Sequence, residues 1–126
     1  MKRLYLSVAL LLLMLGASLV NARYMDRLTS ALADALDAAE TMAHRGAWTQ
    51  TDAITRQCLE DWNDHHAYFH IICRHADTDQ ILVSFQRTLQ HIELEQMDEY
   101  TAENRDLMTK IRLLAEMEQP DLLNVF

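Results

Sequence analysis

Glycine and proline are nearly absent from this chain of 126 residues, which has two glycines and one proline. Proteins of average composition have about 7% glycine and 5% proline. The tight turns of β-sandwiches and β-barrels depend on these residue types, so their scarcity excludes such folds. It also excludes glycine-rich phosphate-binding loops and dinucleotide-binding fingerprints, which need several glycines at fixed spacing.

Positive charge is scarce as well, with 11 Lys and Arg residues against 19 Asp and Glu residues and a formal net charge of −8. Proteins that bind nucleic acid carry basic surfaces, so we predict no nucleic-acid partner. No serine lies in a G-x-S-x-G sequence, and neither cysteine has the setting of a nucleophile. We therefore predict no enzymatic activity, catalytic residue, cofactor or small-molecule substrate. The length allows one domain.

The N-terminus has the composition of a membrane or export signal. Residues 1–22 read MKRLYLSVALLLLMLGASLVNA, in which Lys2 and Arg3 precede the uncharged run Leu4–Val20. A membrane-spanning helix needs roughly 17–25 predominantly apolar residues. The sequence therefore predicts a transmembrane anchor or signal segment over residues 1–22.

Two fates of this segment remain open. As a retained anchor, it places residues 4–22 in the lipid bilayer and keeps the N-terminal cations in the cytoplasm. Residues 23–126 then form an extracytoplasmic helical domain of a single-pass protein of the bacterial cytoplasmic membrane. Alternatively, the small residues before Arg23 direct a signal peptidase to cleave near Ala22 and release a secreted domain. Without Lys2 and Arg3 the net charge is −10, which disfavours contact with anionic lipid.

The rest of the chain shows helical periodicity in four segments, beginning with residues 23–44. Apolar residues recur there at spacings of three and four, which is a heptad pattern: Met25, Leu28, Leu32, Ala35, Ala39 and Met42. This seam either packs on the second and fourth helices or serves as a partner-binding or self-association surface. Gly46 is expected at the C′ position after the helix. A helix continuous with the membrane segment is one alternative, since only Asn21 interrupts the apolar sequence.

Three further segments follow. The second starts after Trp48, with an N-cap among residues 49–52, and the third opens with the capping box Asp77–Gln80. The fourth follows Met97 and stops at Pro120. The apolar stripe of the second segment consists of Ile54, Cys58, Trp62, His65, Phe69 and Ile72. That of the third consists of Ile81, Leu82, Phe85, Leu89 and Ile92. That of the fourth consists of Tyr100, Leu107, Met108, Ile111, Leu114 and Met117. Short connections favour antiparallel neighbours. The predicted fold class is all-α: an N-terminal transmembrane or signal helix, then a small antiparallel bundle or hairpin array of about four helices.

The two cysteines are expected to be free thiols. Cys58 and Cys73 lie 15 residues apart in the second segment, which is about 22 Å on a continuous helix. A disulfide needs Cα atoms within about 7 Å. Pairing would require the helix to break near Asn63–Asp64.

Histidines cluster in the same segment, at His65, His66, His70 and His75. His66, His70 and Cys73 share one helical face, and their nitrogen and sulfur atoms suit zinc or copper. No fourth ligand is identifiable, so we assign no metal site. His65 falls on the apolar stripe, which is typical of a half-buried packing residue.

A stretch of carboxylates follows the third segment. It consists of Glu93, Glu95, Asp98, Glu99 and Glu103. Charges on helix faces are ordinarily solvated, and that is our interpretation here. A cation or a basic partner is the alternative.

Several motifs together resemble a known family. They are the Met-Lys-Arg start with its apolar segment, Trp48 opening a helix that carries Ala53 and Trp62, the sequence His75–Ile81 followed by Leu89 and Ile92, and the ending Leu123–Phe126. The chain is similar to an uncharacterised bacterial family of short, membrane-anchored, all-helical proteins, known as a domain of unknown function. The resemblance implies the fold and the location, and no activity.

The predicted function is that of a membrane-anchored extracytoplasmic helical protein, a non-enzymatic interaction or adaptor module with a protein partner or a second copy. The alternative is an exported metal-binding or metal-sensing protein that uses the cluster from His65 to Cys73.

Overall fold

The computed structural model describes residues 1–65 and 75–118, without the side chains of 75–77 and 117–118. Four helices make up nearly all of this part, and it contains no strand: α1 (Lys2–His44), α2 (Trp48–Asp64), α3 (His75–Glu93) and α4 (Met97–Glu118). The predicted all-α class is therefore confirmed.

Helix α1 is one uninterrupted helix of 43 residues. At about 1.5 Å per residue its length is about 64 Å. The alternative in which the first soluble helix continues from the apolar segment is therefore correct. Every residue up to Val20 is exposed, whereas Met25 is fully buried. The same helix thus supplies the exposed apolar segment and one side of the bundle.

The helices form an up-and-down bundle in which α1 and α3 each pack against α2 and α4. Hydrogen bonds between α1 and each neighbour agree with an antiparallel arrangement. Thr51 Oγ1 donates to the Ala39 carbonyl oxygen at 3.1 Å, and Asn104 Nδ2 donates to the Leu36 carbonyl oxygen at 3.2 Å. The predicted antiparallel arrangement is confirmed for these helices.

The predicted heptad seam on α1 lies in the core, where it packs on α2 and α4, but its register is partly wrong. Leu28, Ala35 and Met42 are only half-buried. The positions that complete the buried stripe are instead Thr29, Ala33, Leu36, Glu40 and Ala43. Because α1 contacts two helices, its buried stripe is wider than a two-helix seam and is centred near Leu36.

Both predicted helix starts are wrong. Helix α2 begins at Trp48 after an Ala47 N-cap that makes no side-chain hydrogen bond. Thr51, expected near the cap, is fully buried and hydrogen-bonds the carbonyl oxygens of Ala47 and Ala39. Helix α3 begins at His75, two residues before the expected capping box. At α2, packing of Thr51 on α1, rather than a side-chain cap, accompanies the start of the helix.

The apolar stripes of the last three helices are largely confirmed. Buried residues of these stripes are Cys58, Trp62, Ile81, Phe85, Leu89, Ile92, Tyr100, Leu107, Met108, Ile111 and Leu114. Ile54 and Leu82 are half-buried. Phe69, Ile72, the Met117 side chain and Pro120 lie outside the described residues.

The connections α1–α2 and α3–α4 begin with the same backbone motif. After α1, the Ala47 N–H donates to the Met42 carbonyl oxygen at 3.0 Å, and Gly46 has a φ of 78°. These bonds define a Schellman cap with Gly46 at C′, as the sequence predicts. After α3, the Gln96 N–H donates to the His91 carbonyl oxygen at 2.9 Å, and Glu95 takes the C′ position with a φ of 51°.

Cys58 is a free thiol and is 2% exposed. The prediction that it is unpaired is confirmed, although the argument from a continuous helix is wrong because α2 ends at Asp64. Cys73 lies outside the described residues. Burial, with a smaller contribution from the charge of Asp61, raises the pKa of the Cys58 thiol to about 11.

The two C′ positions give a matched pair of stability changes. Gly46→Ala is expected to lower the free energy of unfolding by about 1 kcal/mol, because alanine is strained at positive φ. A Cβ at this position meets no atom within 4 Å, so the cost comes from the backbone alone. Glu95→Gly is expected to raise the free energy of unfolding by about 0.5 kcal/mol, since relief of strain exceeds the added entropy of the unfolded chain. Denaturant unfolding measures both, and equal signs would contradict the Schellman assignment.

The buried thiol gives a reactivity prediction. In a Cys73→Ser variant, Cys58 at pH 8 should react with a disulfide reagent at least about 100-fold more slowly than in the denatured chain, since its thiolate is rarely populated. The pKa of Cys58 is higher in the folded chain than in the unfolded chain. The free energy of unfolding should therefore fall as the pH rises from about 8.5 towards 11. An exposed control, Asp37→Cys in a chain without the native cysteines, should react at the rate of a free thiol. Equal rates for Cys58 and this control would contradict burial.

Candidate membrane-anchoring site

The first half of α1 presents its apolar side chains to the outside. Its most apolar window of 18 residues has a mean hydropathy of 2.1, and none of that window is buried in the chain. Leu11 and Leu13, for example, are 69% and 70% exposed. A contiguous apolar surface of this size is not left in contact with water by a monomeric soluble protein. Among the described residues, α1 is the only helix long and apolar enough to cross a membrane, and a signal sequence has the same properties.

The dimensions of this segment match a bilayer. Residues 4–22 extend about 28 Å along the helix, close to the hydrocarbon thickness of about 30 Å. Tyr5 and Tyr24 are both exposed and stand 19 residues apart, near the two ends. Tyrosine is favoured at membrane–water interfaces because its ring is apolar and its hydroxyl is polar.

One side of the segment carries a shallow apolar groove of about 670 Å³. It is lined by Leu12, Leu13, Gly16, Ala17, Val20, Asn21 and Tyr24, all on α1. A Cβ at Gly16 would meet no atom of the chain within 4 Å. No described part of the chain packs closely enough on position 16 to require a glycine there. The groove is therefore open to lipid or to another helix.

The bundle begins directly at the end of the apolar segment. The Tyr24 ring lies 6.2 Å from the ring of His65, which follows α2, and Met25 is already a core residue. His65 Nδ1 is 2.8 Å from the Asp61 carbonyl oxygen. A carbonyl oxygen only accepts, so Nδ1 carries the proton and donates it. These contacts place the α2 C-terminus beside the apolar segment with no linker between.

The predicted histidine cluster is only partly described. His65 is half-buried, as the packing interpretation predicts. His66, His70 and Cys73, together with the His75 side chain, lie outside the described residues. Within residues 1–65 and 75–118, no three His, Cys, Asp or Glu side chains come together as a metal site.

The carboxylates around the α3–α4 connection are mostly on the surface. Glu93, Glu95, Asp98 and Glu99 are exposed, and Glu103 is half-buried. The ion pairs found in the described part of the chain involve other carboxylates: Arg56 with Asp52, Arg105 with Glu40, and Lys110 with Asp106. The solvated-face interpretation therefore fits the first four residues.

A polar groove of about 470 Å³ between α3 and α4 brings opposite charges together. Lys110 Nζ donates to Ser84 Oγ at 2.9 Å and lies 2.8 Å from Asp106, while Arg87 and Asp79 line the same groove. The two cations and two carboxylates balance, so this groove favours neither an anion nor a cation.

Buried polar side chains on α1, α2 and α4 include Tyr100, which the sequence predicts on an apolar stripe, and three that it does not predict to be buried: Glu40, Thr55 and Asn104. Glu40 is 8% exposed, while Thr55, Tyr100 and Asn104 are completely buried. The sequence carries a signal for Asn104, because it lies four residues after Tyr100, a predicted core position on the same helix. A polar residue at a core position is the informative exception to burial by hydrophobicity.

Comparison with known proteins gives a family and no described activity. No curated protein and no solved structure matches the chain. A family model matches residues 19–125, which is the bundle with only the last few residues of the apolar segment. Because that match covers well over half of the chain, the protein belongs to the family described as a domain of unknown function, DUF4363.

Proposed function

We propose that this protein is a single-pass membrane protein in which residues 4–22 anchor a non-enzymatic helical interaction module. The observation that carries the proposal is the fully exposed apolar half of α1, which continues without a break into the bundle. A bilayer removes that apolar surface from water, and residues 1–65 and 75–118 leave it uncovered.

Retention of the anchor is favoured over cleavage by the conformation at Ala22. Proteolysis concentrates at exposed, poorly ordered segments, whereas α1 is helical across Ala22 and Arg23. The core residue Met25 follows three positions later. After cleavage at Ala22, α1 would begin at Arg23. Its first buried residue, Met25, would then lie in a terminal turn that frays.

Orientation depends on the cations at the two ends of the segment. Lys2 and Arg3 precede it, and Arg23 and Arg27 follow it closely. The positive-inside rule counts only such nearby Lys and Arg residues, so the side chains alone are balanced. Lys2 and Arg3 are adjacent to each other and to the apolar run, whereas Arg27 lies seven residues beyond Val20, so the closer pair of cations favours a cytoplasmic location for the N-terminal side. We propose that the bundle lies outside the cytoplasmic membrane of a bacterial cell.

The interaction role is assigned to the end of the bundle farthest from the membrane. Leu94, which is 58% exposed, lies between the exposed residues Glu93 and Glu95, and exposed Asp98 and Glu99 follow in the first turn of α4. An acidic surface with one projecting apolar side chain is complementary to a partner protein with a basic rim and an apolar pocket.

Membrane attachment is tested by fractionation of the full chain. The protein is expected to stay in the membrane pellet after an alkaline carbonate wash, and N-terminal sequencing should find residue 1 or 2 at the start. A variant without residues 1–22 should be soluble. Recovery of the full chain's product in the soluble fraction, starting at Arg23, would establish the secreted alternative.

Orientation is tested by labelling one exposed cysteine. In a chain without the native cysteines, Asp37→Cys should react with a membrane-impermeant maleimide in intact cells, because Asp37 is exposed on the bundle. Labelling only after permeabilisation would place the bundle in the cytoplasm. A cysteine inserted between Met1 and Lys2, on the other side of the segment, is the matched control and should show the opposite accessibility.

One observation supports the second candidate, metal binding at the cluster from His65 to Cys73. Metal-binding histidines usually donate one ring N–H to a carboxylate or carbonyl, which leaves the other nitrogen as the ligand. His65 has this arrangement through Asp61. Its Nε2 is thereby available at the start of the histidine-rich segment.

Zinc titration separates the two candidates. If the cluster binds metal, isothermal titration of the full chain in detergent micelles should give one site with a micromolar or lower dissociation constant. The variant His66→Ala/His70→Ala should lose it. His91→Ala, which changes a histidine at the other end of the bundle, is the control and should leave binding unchanged. No heat of binding in the parent chain would leave the anchored module as the sole proposal.

A further inference from the structure

Four buried polar atoms on α1 and α4 have no hydrogen-bond partner in the described part of the chain. One of them, Glu103 Oε1, belongs to a half-buried side chain, and the other three are Glu40 Oε1, Tyr100 OH and Asn104 Oδ1. Each of these three belongs to a side chain that is more than nine-tenths buried. In folded proteins the great majority of such groups hydrogen-bond either to protein or to an ordered water molecule.

Contacts between the two helices bring these three side chains together. Asn104 Nδ2 donates to the Leu36 carbonyl oxygen, one turn before Glu40 on α1. Tyr100 lies one turn before Asn104 on α4. Arg105, the neighbour of Asn104, has its Nε 3.5 Å from Glu40 Oε1. The three atoms therefore lie within two adjacent turns of each helix.

The electrostatics agree with this placement. The pKa of Tyr100 is raised well above its ordinary value, chiefly because the ring hydroxyl is buried and also because Glu40 is negatively charged. Tyr100 therefore keeps its proton and remains a hydrogen-bond donor. None of the three groups hydrogen-bonds another directly, which is the situation in which a bridging water should be considered.

We propose that Glu40, Tyr100 and Asn104 bind one ordered water molecule inside the bundle, between α1 and α4. Water has two donor hydrogens and two acceptor lone pairs. It donates to Glu40 Oε1 and Asn104 Oδ1 and accepts the Tyr100 O–H, so that all three atoms are satisfied.

A metal cation fits this site less well. It would be bound by the three oxygen atoms but would leave the Tyr100 proton without an acceptor. The Arg105 guanidinium, 3.5 Å from Glu40 Oε1, would also repel it. A neutral ligand that both donates and accepts matches the three groups and the nearby cation.

The direct test is nuclear magnetic resonance of the full chain in detergent micelles. The side-chain amide of Asn104 should show a cross-peak to water with the sign of a long-lived bound molecule. The side-chain amide of Asn63, which is exposed on α2, is the matched control and should show only fast exchange. Absence of the Asn104 cross-peak would overturn the proposal, whatever the effect of any mutation.

A hydroxyl deletion tests whether Tyr100 belongs to the site. Tyr100→Phe should lower the melting temperature by roughly 4–8 °C, because the water loses a partner while the other two groups stay buried. Tyr5→Phe removes a hydroxyl that is already exposed, and it should leave the melting temperature unchanged. An unchanged or higher melting temperature for Tyr100→Phe would remove Tyr100 from the site and overturn the three-residue assignment. If Tyr100→Phe does not fold, the Asn104 cross-peak to water in the parent chain determines whether the proposal stands.

Discussion

Helix α1 has to satisfy two environments along one uninterrupted length, and the other helices are arranged around that constraint. From Leu4 to Val20 its side chains are exposed, uncharged and predominantly apolar on all sides, whereas from Met25 onward its buried residues lie along a single stripe. A helix that is apolar all round suits a membrane, and one with a single apolar stripe suits a bundle. The change occurs within about one turn, so the bundle needs no separate linker. Helices α2 and α4 then cover the stripe, and α3 closes the bundle against both of them.

The parts of this fold that could be predicted from the sequence are those that depend on local periodicity and on glycine. The apolar positions of α3 and α4 repeat every three or four residues, so Ile81, Phe85 and Ile111 were identified as core. Gly46 was placed correctly because only glycine adopts positive φ without strain. Glu95 occupies the equivalent position after α3, and nothing about a glutamate indicates it. The bonds from Gln96 to His91 and the burial of both flanking helices compensate for its strain.

The errors have a common physical cause, which is packing between helices that are distant in sequence. A heptad seam describes a helix with one neighbour, whereas α1 has two. For this reason the burial of Leu36 and Glu40 was not predicted, and Leu28 and Met42 are less buried than predicted. Thr51 appeared to be a capping residue because threonine is favoured at N-caps. Its hydroxyl instead reaches the backbone of α1. Likewise, Asn104 is buried because its amide bonds the Leu36 carbonyl oxygen, a partner 68 positions away.

The continuous helix also determines how far the acidic end of the bundle stands from a membrane. Residues 25–44 of α1 rise about 30 Å above the apolar segment, and the α3–α4 connection lies at that far end. At physiological ionic strength the Debye length is about 8 Å, so charges at that height are screened from lipid headgroups. With the apolar segment in a membrane, as proposed, Glu95, Asp98 and Glu99 would therefore not be repelled by anionic lipid. Near the membrane, Arg23 and Arg27 on α1 offset the negative charge of the domain. If the apolar segment lies in a bilayer as proposed, the continuous α1 helix places the exposed carboxylates of the α3–α4 connection far from the lipid surface.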